Sequence, residues 1–119
     1  MRHEWLISDA YWHSRSNGVF PSHESVCVLN RTDKTARVFL TLYFEDREKL
    51  TDFSAEIPAE RTKHIRIDKL KNERGETPPK DVPYAILAES DTDLAVQYTR
   101  LDTSQAEMAL MTAFAYKVK

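Results

Sequence analysis

The chain has 119 residues, of which 41% are hydrophobic and 30% charged, and its 17 Lys or Arg stand against 19 Asp or Glu for a formal charge of −2. That length fits one domain, residues 1–119, and the composition lies in the globular range, away from chains that stay disordered. Near-neutrality excludes whole-chain attraction to a polyanion, so a nucleic acid could be met only by a local patch.

At the N-terminus, Met1-Arg2-His3-Glu4-Trp5 carries an acid and no continuous apolar run, and no stretch approaches the roughly 20 apolar residues that span a bilayer. Neither a leader nor an anchor is expected. Asp9 to Ser22, with Asn17-Gly18 and Pro21, reads as a loop. Glu24 to Asn30 is apolar and β-branched, and Asn30-Arg31-Thr32-Asp33-Lys34 is a polar turn that predicts an antiparallel hairpin with the next strand. The one cysteine, Cys27, lies in Val26-Cys27-Val28-Leu29 and reads as a buried small hydrophobe, which fits a reducing compartment.

Residues 36 to 44 place Ala36, Val38, Leu40, Leu42 and Phe44 on one face at period two, the firmest strand signal in the chain. Further strands are expected at Phe53 to Ile57, Thr62 to Ile67, Tyr84 to Glu89 and Leu94 to Leu101, with a loop over Lys69 to Pro83. Ser104-Gln105-Ala106-Glu107 has capping-box spacing, yet residues 108 to 116 alternate large (Met108, Leu110, Phe114, Tyr116) with small (Ala109, Ala113, Ala115). The alternation predicts a strand under a tightly packed sheet. Short strands at this spacing make the chain all-β, an antiparallel β-sandwich of jelly-roll character.

Three polar clusters interrupt these patterns: Ser22-His23-Glu24, Arg61-Thr62-Lys63-His64-Ile65-Arg66, and Gln97 to Asp102 continuing to Gln105 and Glu107. His23, Glu24, His64 and Glu107 could ligate a metal in a cupin-like jelly roll, but the two histidines are far apart in the chain, so no metal is expected. With two glycines there is neither a nucleophile elbow nor a phosphate-cradling loop, and Glu45-Asp46 and Glu89 with Asp91 sit in turn-like settings. No catalytic residue and no cofactor is expected. Arg61 to Arg74 holds six Lys or Arg plus His64 against Asp68 and Glu73, a basic strip suited to phosphates or an acidic protein face, though such a strip is more usually a solvated strand edge.

Ser22-His23-Glu24-Ser25-Val26-Cys27-Val28-Leu29-Asn30, Pro58 to Arg66 and Gln97 to Glu107 together resemble, block by block and in order, the soluble sensory rhodopsin transducer family of the Anabaena type. The resemblance covers roughly Ser22 to Tyr116. It implies a cytoplasmic β-sandwich that assembles as a cyclic homotetramer and docks on the cytoplasmic face of a membrane receptor, with weak DNA binding and a carbohydrate-like ligand pocket as further implied properties. By carry-over, the ligand- or partner-binding residues are His23, Glu24, Asn30, Arg61, Lys63, His64, Arg100, Asp102, Gln105 and Glu107. The segment before Ser22 and Asn72 to Val82 depart from the family pattern.

Two functions follow as expectations. The first is a signalling adaptor that binds a protein partner. The second is a module for a small polar ligand, with Trp5, Trp12 or Tyr98 as stacking surfaces. A purely structural account would instead put Arg100 and Asp102 in a subunit-interface ion pair and His64 on a buried backbone group.

Overall fold

A computed structural model describes residues 1–119. Its strands are β1 (His3–Tyr11), β2 (His23–Asn30), β3 (Ala36–Phe44), β4 (Leu50–Ile57), β5 (Arg61–Arg66), β6 (Pro83–Ser90), β7 (Ala95–Asp102), β8 (Ala109–Phe114) and β9 (Tyr116–Lys117). They form one sheet in the order β4-β3-β6-β1-β9 and a second in the order β5-β2-β7-β8, with every pairing antiparallel. A 3-10 turn at Ile67–Lys69 is the one helical element, and no helix is long and apolar enough to cross a membrane.

The alternation in β3 works as its sequence predicts: Ala36, Val38, Leu40 and Leu42 are buried, and Phe44 packs at the rim. They meet Val26 and Val28 of β2, Ile65 of β5 and Val96 and Tyr98 of β7 in one cluster of 19 buried residues between the sheets. Period two in both layers produces this core, because each strand turns one face to the other sheet.

The expected hairpin between the second and third strands does not form. β2 pairs with β5 and β7, whereas β3 pairs with β4 and β6 in the other sheet. Both strands carry a buried apolar face, and the two faces meet across the sandwich in one core. The polar link between them is therefore an arch. Asn30 anchors it: its buried side-chain amide donates to the carbonyls of Lys34 (2.8 Å), Ile57 (3.0 Å) and Pro58 (3.3 Å), and its oxygen accepts from Thr32 N (3.0 Å).

Strand β1 was not foreseen. Its inward residues are Trp5, Ile7 and Ala10, a spacing that breaks parity because the register with β6 shifts by one residue between Ile7 and Ala10. This bulge pushes Ser8 and Asp9 outward and hides the alternation from a period-two reading. Trp5 and Tyr98 are 2% and 1% exposed, so neither is a stacking surface, and Cys27 is only half-buried.

The C-terminal stretch is extended, as alternation predicts, with β8 on β7 in one sheet and the short β9 on β1 in the other, and the capping-box spacing at Ser104 leads only into a bend. Its packing is the reverse of the expectation. β8 is an edge strand whose large residues face away from the core, with Leu110 71% and Phe114 88% exposed.

Candidate functional site

On β2 the inward face reads Glu24, Val26, Val28, which carries a carboxylate into the end of the core. Glu24 is 1% exposed. Its Oε2 accepts from the backbone N–H of Tyr11 (2.9 Å) and from the hydroxyl of Tyr98, while Oε1 accepts from the hydroxyl of Tyr84 (2.6 Å). Donors from β1, β6 and β7 thus meet an acceptor from β2, tying the two sheets through one buried group. Desolvation by burial pushes both tyrosine hydroxyls well above their ordinary range, and the adjacent Glu24 charge pushes them further, so both stay protonated and donate.

Above this network Glu24 stands opposite Arg100 in the β2–β7 register. Arg100 opens into a cleft of about 400 Å³, lined on its polar side by Asp9, Tyr11, His13, Arg100 and Asp102 and on its apolar side by Ala109, Leu110 and Met111. His13 Nε2 lies 3.3 Å from Asp102 Oδ2, and the Tyr11 and His13 rings are 4.5 Å apart. The backbone N–H of Ser104 donates to Asp102 Oδ1 (2.9 Å), and hydrogen bonding from the Ser104 side chain and then its backbone, helped by the charges of His13 and Arg100, holds the Asp102 carboxyl below the usual carboxylate range. Asp102 is therefore an acceptor at neutral pH. The Arg100 guanidinium donates to no oxygen: its polar contacts are Met111 Sδ at 3.6 Å and Asp9 Oδ1 at 3.8 Å.

Of the ten residues singled out from sequence, Arg100 and Asp102 line this cleft, and Glu24 lies buried beneath it. Asn30 is also buried, with its side chain spent on the arch. Lys63 and His64 line a separate depression of about 340 Å³ with Arg66 and Lys69, where Lys63 Nζ donates to the Glu56 carbonyl (3.2 Å) and Arg66 grips Asp68 through two bonds of 2.9 and 2.8 Å. His64 is exposed, so it satisfies no buried backbone group. Arg61 is exposed beside it, Gln105 and Glu107 are exposed on the bend before β8, and a ring nitrogen of His23 meets the Pro21 carbonyl at 2.9 Å.

The three blocks share one shallow depression of about 210 Å³ on the outer face of β5-β2-β7, lined by Cys27, Thr62, His64 and Gln97, but the ten residues singled out do not converge on one pocket. The first and third adjoin because β2 pairs with β7, and the second lies on the far side of β2. No group of three or more His, Cys, Asp or Glu is placed to hold a metal ion, and His23, Glu24, His64 and Glu107 do not form one. Asp9, Tyr11 and His13 were missed, being assigned to a loop. The available signal was Trp5 and Ile7 alternating into that segment.

A second surface lies beside the cleft. Met108, Leu110, Phe114, Tyr116 and Val118 are all more than half exposed, a row of large apolar groups along the β8 edge and its continuation. Monomeric proteins seldom leave such a row uncovered at a sheet edge.

Comparison with known proteins gives a consistent result. A family model described as "Anabaena sensory rhodopsin transducer" matches residues 2–117. The crystal structure of Thermotoga maritima 1070 is similar at a TM-score of 0.85 and 34% identity, over 96% of this chain and 92% of that one. The Anabaena sensory rhodopsin transducer structure is similar at a TM-score of 0.73 and 36% identity, over 82% of this chain and 95% of that one. No curated protein sequence matches.

Proposed function

Because the chain belongs to the Anabaena sensory rhodopsin transducer family, we propose that it is a cytoplasmic, non-enzymatic adaptor that works as a homo-oligomer, a tetramer by family resemblance, and relays the state of a membrane receptor by protein–protein contact. The exposed apolar row on β8 carries this reading. Leu110 and Phe114 share the outward face with Thr112, so burying that face against another chain removes large apolar groups from water without disturbing the core. A ring requires two different patches on each copy, and β8 supplies one of them.

Light scattering on the full chain tests it. The wild-type chain is expected to elute as an oligomer, and the double substitution Leu110→Glu with Phe114→Glu, on side chains that contribute nothing to the core, is expected to elute as a folded monomer. A monomeric wild type, or an oligomer untouched by the double substitution, would count against the reading.

The second reading is a small polar ligand held in the cleft beside Asp9. One observation favours it: the Arg100 guanidinium faces that cleft with no oxygen acceptor in hydrogen-bond range. Such a fork is a ready donor to a polar ligand. For DNA no feature beyond the Lys63, Arg66 and Lys69 depression speaks, and nucleic acid binding is at most weak in this reading.

A further inference from the structure

The cleft's chemistry narrows its ligand, an inference that rests on the second reading above. We propose that it takes a free α-amino acid with an apolar side chain, its carboxylate on Arg100, its ammonium on Asp9 and Asp102, and its side chain against Tyr11 and Met111.

The guanidinium is the starting point. Arginine presents five N–H donors in a planar fork. The Arg100 side chain is only 20% exposed, yet its contacts are a thioether sulfur, which is a weak acceptor, and an Asp9 oxygen beyond hydrogen-bond range. Glu24 opposite offsets its charge, but the oxygens of Glu24 accept from Tyr11, Tyr84 and Tyr98 and receive no hydrogen bond from the guanidinium. A carboxylate matches the fork in shape, charge and number of acceptors.

Charge selects the rest of the ligand. Asp9 and Asp102 flank Arg100, so a simple carboxylate would meet two like charges near its binding position. An ammonium on the adjacent carbon reverses that term. Arg100 and Asp102 are two residues apart on one face of β7, roughly 7 Å along the strand, which brackets the two charged ends of an amino acid. Asp9 sits in the β1 bulge and its side chain is 79% exposed, leaving it free to turn toward an arriving cation. A neutral polyol would satisfy the acceptors but leave the fork without an anion.

Calorimetric titration of the full chain tests the proposal with L-leucine and L-methionine, with isocaproate (no ammonium), isoamylamine (no carboxylate) and glucose. Leucine and methionine are expected to bind, and the other three to bind at least tenfold more weakly, because each leaves a charged group unpaired. Arg100→Lys keeps the charge and loses the fork, and should weaken leucine binding by roughly tenfold or more. Asp9→Asn alters an exposed side chain, so it should weaken leucine severalfold while leaving the melting temperature of the unliganded chain unchanged.

Isocaproate binding as well as leucine, or leucine affinity unchanged in both variants, overturns the proposal. Glucose binding without leucine binding overturns the amino-acid assignment and leaves the ligand reading standing. Binding of none of the probes defeats both.

Discussion

Glu24→Ala is expected to lower the unfolding free energy by on the order of 3–5 kcal/mol, a drop of roughly 10–20 °C in melting temperature. The side chain it removes is the shared acceptor of Tyr84, Tyr98 and the Tyr11 amide. Truncation leaves two buried hydroxyls and a half-buried amide without a partner, the buried ones costing about 1–3 kcal/mol each, and adds a cavity. Against a stability of about 5–15 kcal/mol for a domain of this size, that is a large fraction. Glu24→Gln keeps one acceptor oxygen and fills the space, so it should cost less. Urea titration of both variants would check this, and a loss below about 1 kcal/mol for Glu24→Ala would contradict the account.

The same network predicts an alkaline instability whose sign is fixed by the tyrosines. Their folded-state pKa values are raised above the ordinary 10.0 by burial first and by the Glu24 charge second. The unfolded chain therefore releases these protons first. The stability they contribute is fully present below pH 10 and is lost as pH rises, by about 1.4 kcal/mol per pH unit for each tyrosine. Tyr84→Phe should shallow that slope, and an unchanged slope in this variant would show that the hydroxyl does not act as described.

Asn30→Asp is the second large effect. The substitution is nearly isosteric, which removes cavity formation from consideration. It replaces an amide that donates to the carbonyls of Lys34, Ile57 and Pro58 with a carboxylate that can only accept. Setting a buried negative charge among three carbonyl oxygens should cost roughly 3 kcal/mol or more at neutral pH, with partial recovery in acid as the carboxyl protonates and regains one donor. Urea midpoints at neutral and mildly acidic pH measure it. A substitution that is neutral at both would show that the arch does not depend on this side chain. Asn30 and Glu24 entered the sequence reading as binding residues, yet both are buried and fully engaged in holding strands together.

The positions of the strands were legible because β3, β6 and the first half of β7 alternate at period two and β2 is an apolar, β-branched run, all local properties of the chain. β1 was not legible, since a one-residue bulge between Ile7 and Ala10 puts its inward residues out of phase. The cleft was half legible for the same reason. Arg100 and Asp102 stood out as charges on a strand, but Asp9, Tyr11 and His13 come from the bulged strand and the segment after it.

By itself the sequence determined the all-β class, most strand positions and the three polar blocks, each a consequence of residues close together in the chain. Which strands become neighbours was decided only by the tertiary structure. β2 and β3 each have an apolar face to bury, and the two faces meet across the sandwich, packed in one core, instead of lying side by side in one sheet. That choice sets β2 against β7, buries Glu24 under Arg100, and leaves the large residues of β8 on the surface. Alternation tells which side chains share a face, and only the packing of the second sheet tells whether that face meets a core, a partner or water.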